Sequence, residues 1–297
     1  LEDCRGKAEY DCVVLLSGGK DSCYLTYLLT KKYNLKVLAC TVENWMRSPI
    51  GERNIRDAVA KLNVDHILIT PKPEFLRRFY RYLLLSSKKE DLEEGGHHLT
   101  VCPVCAKVML GLALKEAAMR RIPMVTGGHS PDQVYISFYE IPPEEIRRTW
   151  VPPWLNSRSF VAEDKKYFWD PKEYEKQGAL PQVLFPFHVM DYPGPAKVMR
   201  EVVRLGLVSK RNANPRITNC HLSVLLDFLT RSGGYDRGAV AAMSHRIRKG
   251  MAGRRKSLIL LVLGRFLFRS GLLRHVIRRR KINLAEQFLH LKVEDLV

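Results

Sequence analysis

Acidic side chains are in short supply: the 297 residues hold 31 Asp and Glu against 49 Lys and Arg, a formal net charge of +18. Such a balance excludes an acidic surface built for polycations and favours polyanions, which here means nucleic acid, a nucleotide-linked substrate or an anionic membrane. The shortage is most severe between Asp236 and Glu286, where no acidic residue occurs. Long apolar runs are also missing, since the longest near the end, Leu258 to Leu263, is far too short to span a bilayer. A basic segment followed by an apolar core, the mark of a signal peptide, is absent from the N-terminus. Leu1 reads as a start inside a longer protein, and the expected location is the cytoplasm, in soluble form. The 7 cysteines do not form the dense framework of a small secreted domain, so they are read as reduced thiols or metal ligands. Neither of two widespread phosphate loops, G-x-x-x-x-G-K-[ST] and G-x-G-x-x-G, is found.

What is present starts at Tyr10. An apolar run from Cys12 to Leu16 stops at Ser17-Gly18-Gly19-Lys20-Asp21-Ser22, and a helical pattern with Tyr24, Leu25, Leu28 and Leu29 on one side follows. Strand, tight loop and helix in that order gather unpaired N–H groups and the positive helix end at one point, where an anion sits well. Gly18 and Gly19 let a phosphate approach the backbone, and Lys20 adds a full charge. An ordinary glycine turn is the plain alternative.

Further strands are expected at Lys36 to Val42, His66 to Ile69 and Met124 to Thr126. Helices are expected at Asn54 to Leu62, through Phe75, Phe79, Leu83 and Leu84, and near Lys197 to Leu205. This alternation predicts an α/β fold with a parallel sheet and the ligand at the carboxyl ends of the strands. Ser86 to Thr100 reads as a mobile polar loop, and Ile141 to Pro186, rich in proline and tryptophan, as an irregular insertion. Cys12 and Cys40 read as core filler, while the dipole at the start of the first helix is expected to lower the Cys23 thiol pKa.

Cys102-Pro103-Val104-Cys105 reads as the opening of a helix running through Met109, Leu112 and Ala117, with both sulfurs on one side. Structural zinc, a redox pair and an iron–sulfur ligand pair all fit that spacing. Cys220 supplies a third thiol, and three cysteines leave one iron of a four-iron cluster without a protein ligand. A zinc site completed by His97 or His98 is the competing arrangement. The last section, with Arg246, Arg248, Lys249, Arg254, Arg255, Lys256, Arg265, Arg269 and Arg274 among apolar residues, suits phosphate contact. A membrane-surface helix has the same pattern.

The loop Ser17–Ser22 resembles that of the ATP pyrophosphatases, the PP-loop or adenine nucleotide alpha-hydrolase superfamily. That resemblance implies a HUP-like, Rossmann-like domain over residues 1–190 and a mainly helical basic region over 191–297 completing the site. It implies ATP and Mg2+ as ligands, cleavage of ATP between the alpha and beta phosphates, and Thr41, Val42, Glu43 and Asn44 near adenine and ribose. With the three cysteines, the chain is similar to the iron–sulfur-dependent tRNA thiolation enzymes, in which a [4Fe-4S] cluster lies beside the ATP loop. Carried over by position, Cys102, Cys105 and Cys220 are the ligands. The Gly-His-x-x-Asp-Asp stretch of that family corresponds to Gly128, His129 and Asp132, with Gln133 replacing the second Asp.

Lys20, Asp21 and Asp132 are therefore the candidate catalytic residues, Asp132 placing magnesium or the attacking group. The zinc-finger pairs that flank the catalytic domain in some tRNA thiolation enzymes are missing. Ser244 to Gly250 and the segment from Asn54 to His66 also resemble the N-acetyl sugar amidotransferases of lipopolysaccharide O-antigen synthesis, which deliver ammonia instead of sulfur. The expected partners are a tRNA or another anionic substrate, together with a sulfur donor protein or a glutaminase, in a chain free to form oligomers. A non-enzymatic RNA- or membrane-binding protein that keeps a nucleotide site is the third reading.

Overall fold

Val37–Val42 is buried along its whole length, and so is nearly all of Cys12–Leu15. Strands covered on both faces read as unbroken apolar runs, which is why they are legible as strands at all. The computed structural model describes residues 1–90, 97–130, 140–175, 180–213, 220–232, 244, 247–248, 250, 252–269 and 279–292. In order, the main elements are β1 (Cys12–Leu15), α1 (Lys20–Tyr27), β2 (Val37–Val42), α2 (Pro49–Leu62), β3 (Asp65–Ile69), α3 (Pro73–Glu90), α4 (His97–Met119) and β4 (Met124–Gly127). There follow β5 (Glu140–Ile141), α5 (Pro143–Ile146), β6 (Gln182–Leu184), α6 (Pro195–Arg204), α7 (His221–Ser232), α8 (Arg254–Arg269) and α9 (Arg279–Leu289).

The sheet has the order β3-β2-β1-β4-β6-β5, and every pairing is parallel except that of β5 with β6. This is the α/β architecture expected from the alternation of strands and helices. From β1 the chain moves outward to β2 and β3 on one side, then returns to place β4 on the other. The order thus reverses between β1 and β4, where a crevice opens at the carboxyl ends of an open parallel sheet. One core joins Val14 and Ala39 of the sheet to Leu25 of α1, Ile55 and Ala58 of α2, and Val198 and Val202 of α6.

The chain divides into two compact units, Leu1–Lys72 with Ala106–Asn219, and Pro73–Cys105 with Cys220–Val297. The first contains the sheet. In the second, Phe75, Leu76, Phe79, Tyr80, Leu83 and Leu84 are all buried along α3, the stripe that a core-facing helix requires. α9 packs against both α7 and α3. Arg81 of α3 donates to the carbonyls of Leu289 at 2.8 Å and His290 at 2.7 Å, and Arg77 donates to that of Phe288 at 2.7 Å. Two cations thus sit on the carbonyl end of α9, the end that favours positive charge.

Three expectations are corrected. The polar stretch from Ser86 is not a loop throughout, because α3 continues to Glu90 and α4 begins at His97. Lys and Glu are good helix formers, and polarity without Gly or Pro does not end a helix. Cys102 likewise does not open its helix: α4 begins at His97, and Pro103 lies inside it. The segment 141–186 is not wholly irregular, since β6 joins the sheet beside β4. Its tryptophans are structural: Trp169 is fully buried, stacked on Tyr174 at 5.3 Å, and its indole N–H donates to the Ile146 carbonyl at 2.7 Å.

Arg81→Ala should lower the stability of the α3–α9 pairing by about 1–2 kcal/mol, the scale of a charged donor lost from helix-end carbonyls. Hydrogen exchange over residues 279–292 checks this, with faster exchange expected there than in the sheet.

Candidate active site at the β1–α1 turn

Gly18 has φ of +78°, and a Cβ there would run into the Gly51 carbonyl oxygen on the first turn of α2. Two independent reasons thus reserve the position for glycine. Gly19 caps α1 in an extended conformation with no side-chain cap, so the first N–H groups of the helix lack the usual partner. Among the described residues, a Cβ on Gly19 would meet only Ser17 Oγ, at 3.5 Å.

The loop is held from within by its serines. Ser22 Oγ accepts from the Ser17 N–H at 3.2 Å, lies 3.1 Å from Ser17 Oγ and donates to the Gly19 carbonyl at 3.0 Å. From outside, the Asn54 amide donates to the Gly18 carbonyl at 3.0 Å and to that of Asn212 at 3.4 Å. Gly128, just past β4, presses on the same helix turn: a Cβ there would lie 2.8 Å from Ser22 N. Ser17 to Ser22 and Gly128 are therefore brought together, as the reversal of strand order requires.

Lys20 Nζ is 2.5 Å from Asp21 Oδ2 and 3.5 Å from the Tyr192 hydroxyl, which in turn donates to Asp21 Oδ1 at 2.8 Å. Both charged side chains are less than a tenth exposed. The Lys20 charge is thus already balanced by Asp21, and an incoming phosphate competes with that carboxylate. Tyr192 and Asn54 are the participants that reading the sequence for a site does not find. Asn54 stands out in the sequence only as the first residue of the segment resembling the sugar amidotransferases, with no role at the loop, and Tyr192 is 171 residues from Asp21.

At the end of β2, Thr41 Oγ1 donates to the Leu16 carbonyl at 2.7 Å and meets His66 Nε2 at 2.8 Å. Arg47 donates to the Val42 carbonyl at 2.6 Å and pairs with Glu43 at 3.5 Å. Thr41 and Val42 are both buried, so their side chains brace the strand end. Burial, with Arg47 nearby, pushes the His66 pKa down.

His129 is set edge-on to Phe185, 5.1 Å between ring centres. Burial, reinforced by His188, holds its pKa below the usual imidazole range, so the ring is neutral near pH 7. His129 Nδ1, Ser130 Oγ and Thr126 Oγ1 are buried without a hydrogen-bond partner among the described residues, and so is Asn54 Oδ1. Buried polar atoms are normally paired, and here three lie at one strand end, Thr126 within β4 and His129 and Ser130 just past it. Asp132 and Gln133 lie outside the described residues.

The cysteines separate into two groups. Cys12, Cys23 and Cys40 are buried in the first unit, and burial pushes the Cys23 thiol up to about 12. The expectation of a lowered Cys23 pKa is overturned, because desolvation in a fully buried site outweighs the helix dipole. Cys102, Cys105 and Cys220 are half-buried instead and belong to the second unit. Cys102 and Cys105 lie three residues apart on α4, hence on one helix face. Tyr80 OH is 3.4 Å from Cys105 Sγ, and all three cysteines act on Tyr80 electrostatically.

Among the described residues no three His, Cys, Asp or Glu are close enough to hold a single metal ion. The side chains of His97 and His98 lie outside that set. A four-iron cluster takes each thiolate on a different iron and spreads its ligands wider than one ion does, so Cys102, Cys105 and Cys220 are the residues that would hold one.

No family model and no curated protein matches the chain. Among solved structures, it is similar to NMN synthetase from Francisella tularensis at 20% identity, covering 43% of this chain and 48% of that one with a TM-score of 0.32. NH3-dependent NAD synthetase from Campylobacter jejuni is similar at 16% identity, over 43% and 50% of the two chains, with a TM-score of 0.33. The U34-tRNA thiolase NcsA from Methanococcus maripaludis, solved with its [4Fe-4S] cluster, is similar at 13% identity over 85% and 75%, with a TM-score of 0.40. The chain spans about half the length of the two synthetases it matches. No helix among the described residues is long and apolar enough to cross a membrane.

Two outcomes follow for the loop. Gly18→Ala should destabilise the protein by at least about 1–3 kcal/mol and abolish nucleotide binding, whereas Gly19→Ala should leave the melting temperature near that of the parent and weaken ATP binding. Thermal denaturation with and without ATP separates them. A second outcome concerns pH. Because the folded His129 pKa lies below the unfolded value of about 6.5, the neutral ring's contribution is complete above that pH and fades as pH falls towards the folded pKa. Urea titrations at pH about 7.5 and about 5.5 should show less loss for His129→Gln than for the parent.

Proposed function

We propose that this chain adenylates a carbonyl oxygen of its substrate with Mg·ATP, releasing pyrophosphate, and then replaces AMP with sulfur. The observation that carries the reading is the turn after β1. An open glycine at an uncapped helix start is set against a second glycine, Gly128, from the strand across the reversal. Such a turn suits a polyphosphate, whose oxygens accept from the N–H groups at the start of α1. Lys20 exchanges Asp21 for phosphate and stabilises charge on the departing pyrophosphate, while Tyr192 keeps Asp21 in place. Asp132 places the magnesium or the attacking oxygen, as the family resemblance implies. The end of β2, from Thr41 to Asn44, receives the adenosine. Neutral His129 and Ser130 offer the substrate polar atoms that have no partner among the described residues.

Cys102, Cys105 and Cys220 would hold a [4Fe-4S] cluster in this reading, with the Tyr80 hydroxyl 3.4 Å from Cys105 Sγ and able to donate to its thiolate. Bound there, the cluster supplies an open iron position for the sulfur to be transferred. Adenylation makes the carbon electrophilic, because AMP departs far more readily than oxide. The substrate is a tRNA base or another anionic carbonyl compound, a choice supported by the net charge of +18. The soluble cytoplasmic location expected from the sequence belongs to the same proposal.

Iron and acid-labile sulfide analysis of protein prepared without oxygen tests the sulfur step. About four of each per chain, lost in Cys220→Ala, is the expected result. Zinc or no metal, with Cys220→Ala unchanged, would overturn it and move the transferred atom to nitrogen, as in the sugar amidotransferases.

A further inference from the structure

Four aliphatic side chains of α8 face outward. Leu258, Ile259, Val262 and Leu263 are 51%, 65%, 69% and 48% exposed, while Ser257 on the opposite side of the helix is 3% exposed. At about 100° per residue the four fall within one arc of about 140°, with Arg255 inside it and Arg254 and Lys256 at its two borders. All three cations are exposed. They occupy the first turn, which has no acidic residue, so they oppose the helix dipole where an anion would be favoured. A helix that places aliphatic side chains in solvent and cations at its positive end is at odds with water on both counts. One occupant satisfies both.

We propose that α8 lies on an anionic phospholipid surface, with Leu258, Ile259, Val262 and Leu263 entering the acyl boundary and Arg254, Arg255 and Lys256 among the headgroup phosphates. RNA would neutralise the cations but has no place for four aliphatic side chains, since its recognition surfaces stack on aromatics and guanidinium groups. A second copy of the chain docked through the same face would set these cations against their own kind, in a stretch from Asp236 to Glu286 with no acidic residue between. The proposal does not depend on the chemistry of the β1–α1 site.

Flotation of the full chain with vesicles tests it, using phosphatidylcholine alone or mixed with phosphatidylglycerol. Binding to the mixed vesicles should be at least about ten-fold stronger and should weaken with salt. Ile259→Asn with Val262→Asn should abolish it, and Arg254→Glu with Arg255→Glu should weaken it by about ten-fold or more. These side chains are exposed, so circular dichroism and melting should stay those of the parent. Absence of binding to mixed vesicles would overturn the proposal, as would binding that survives Ile259→Asn with Val262→Asn. A concentration-dependent dimer lost in that variant, without vesicle binding, would overturn it in favour of self-association.

Discussion

A close approach of two backbones governs the candidate site. Gly18 sits against the carbonyl of Gly51, and this contact forces the chain leaving β1 into a left-handed turn directly before α1. Asn54, one turn further along α2, holds the Gly18 carbonyl and reaches the Asn212 carbonyl as well. Gly128 closes the other side against Ser22. The turn at Gly19 is thus set by three segments that the sheet order brings to one place. Its ion pair, Lys20 with Asp21, is buried and steadied by Tyr192, so the local charge can shift without leaving a carboxylate unpartnered.

The second unit follows a different logic. Its core is a stripe of aromatic and aliphatic residues on α3, and the carbonyl end of α9 is held by Arg77 and Arg81. Tyr80 links that core to the thiols, since it is buried in the stripe and meets Cys105 through its hydroxyl. Cys12, Cys23 and Cys40 are buried and serve packing, whereas Cys102, Cys105 and Cys220 keep partial exposure, although burial also pushes the Cys105 thiol up to about 12.

Much of the fold was legible because burial on both faces writes itself as apolar runs. β1, β2 and β4 are such runs, and the glycine loop between the first of them and α1 has a definite spacing. β6 was not legible: its three residues lie between a proline-rich segment and Phe185-Pro186, and only pairing with β4 makes them a strand. Helix ends were misjudged where polar but helix-favouring residues were read as loop, as at Lys88 to Glu90 before the end of α3. Within the site, Ser17 to Ser22 and Gly128 were legible from motif. Tyr192 and Gly51 were not, because their part arises from contacts across the fold and carries no local pattern.

The central claim is that the turn between β1 and α1 directs attack to the alpha phosphate of ATP. Phosphorus NMR of ATP incubated with magnesium, the anaerobically prepared protein and bulk tRNA reads this directly. The account predicts AMP and pyrophosphate, both lost in Lys20→Ala. Accumulation of ADP and inorganic phosphate, dependent on the same lysine, would contradict it.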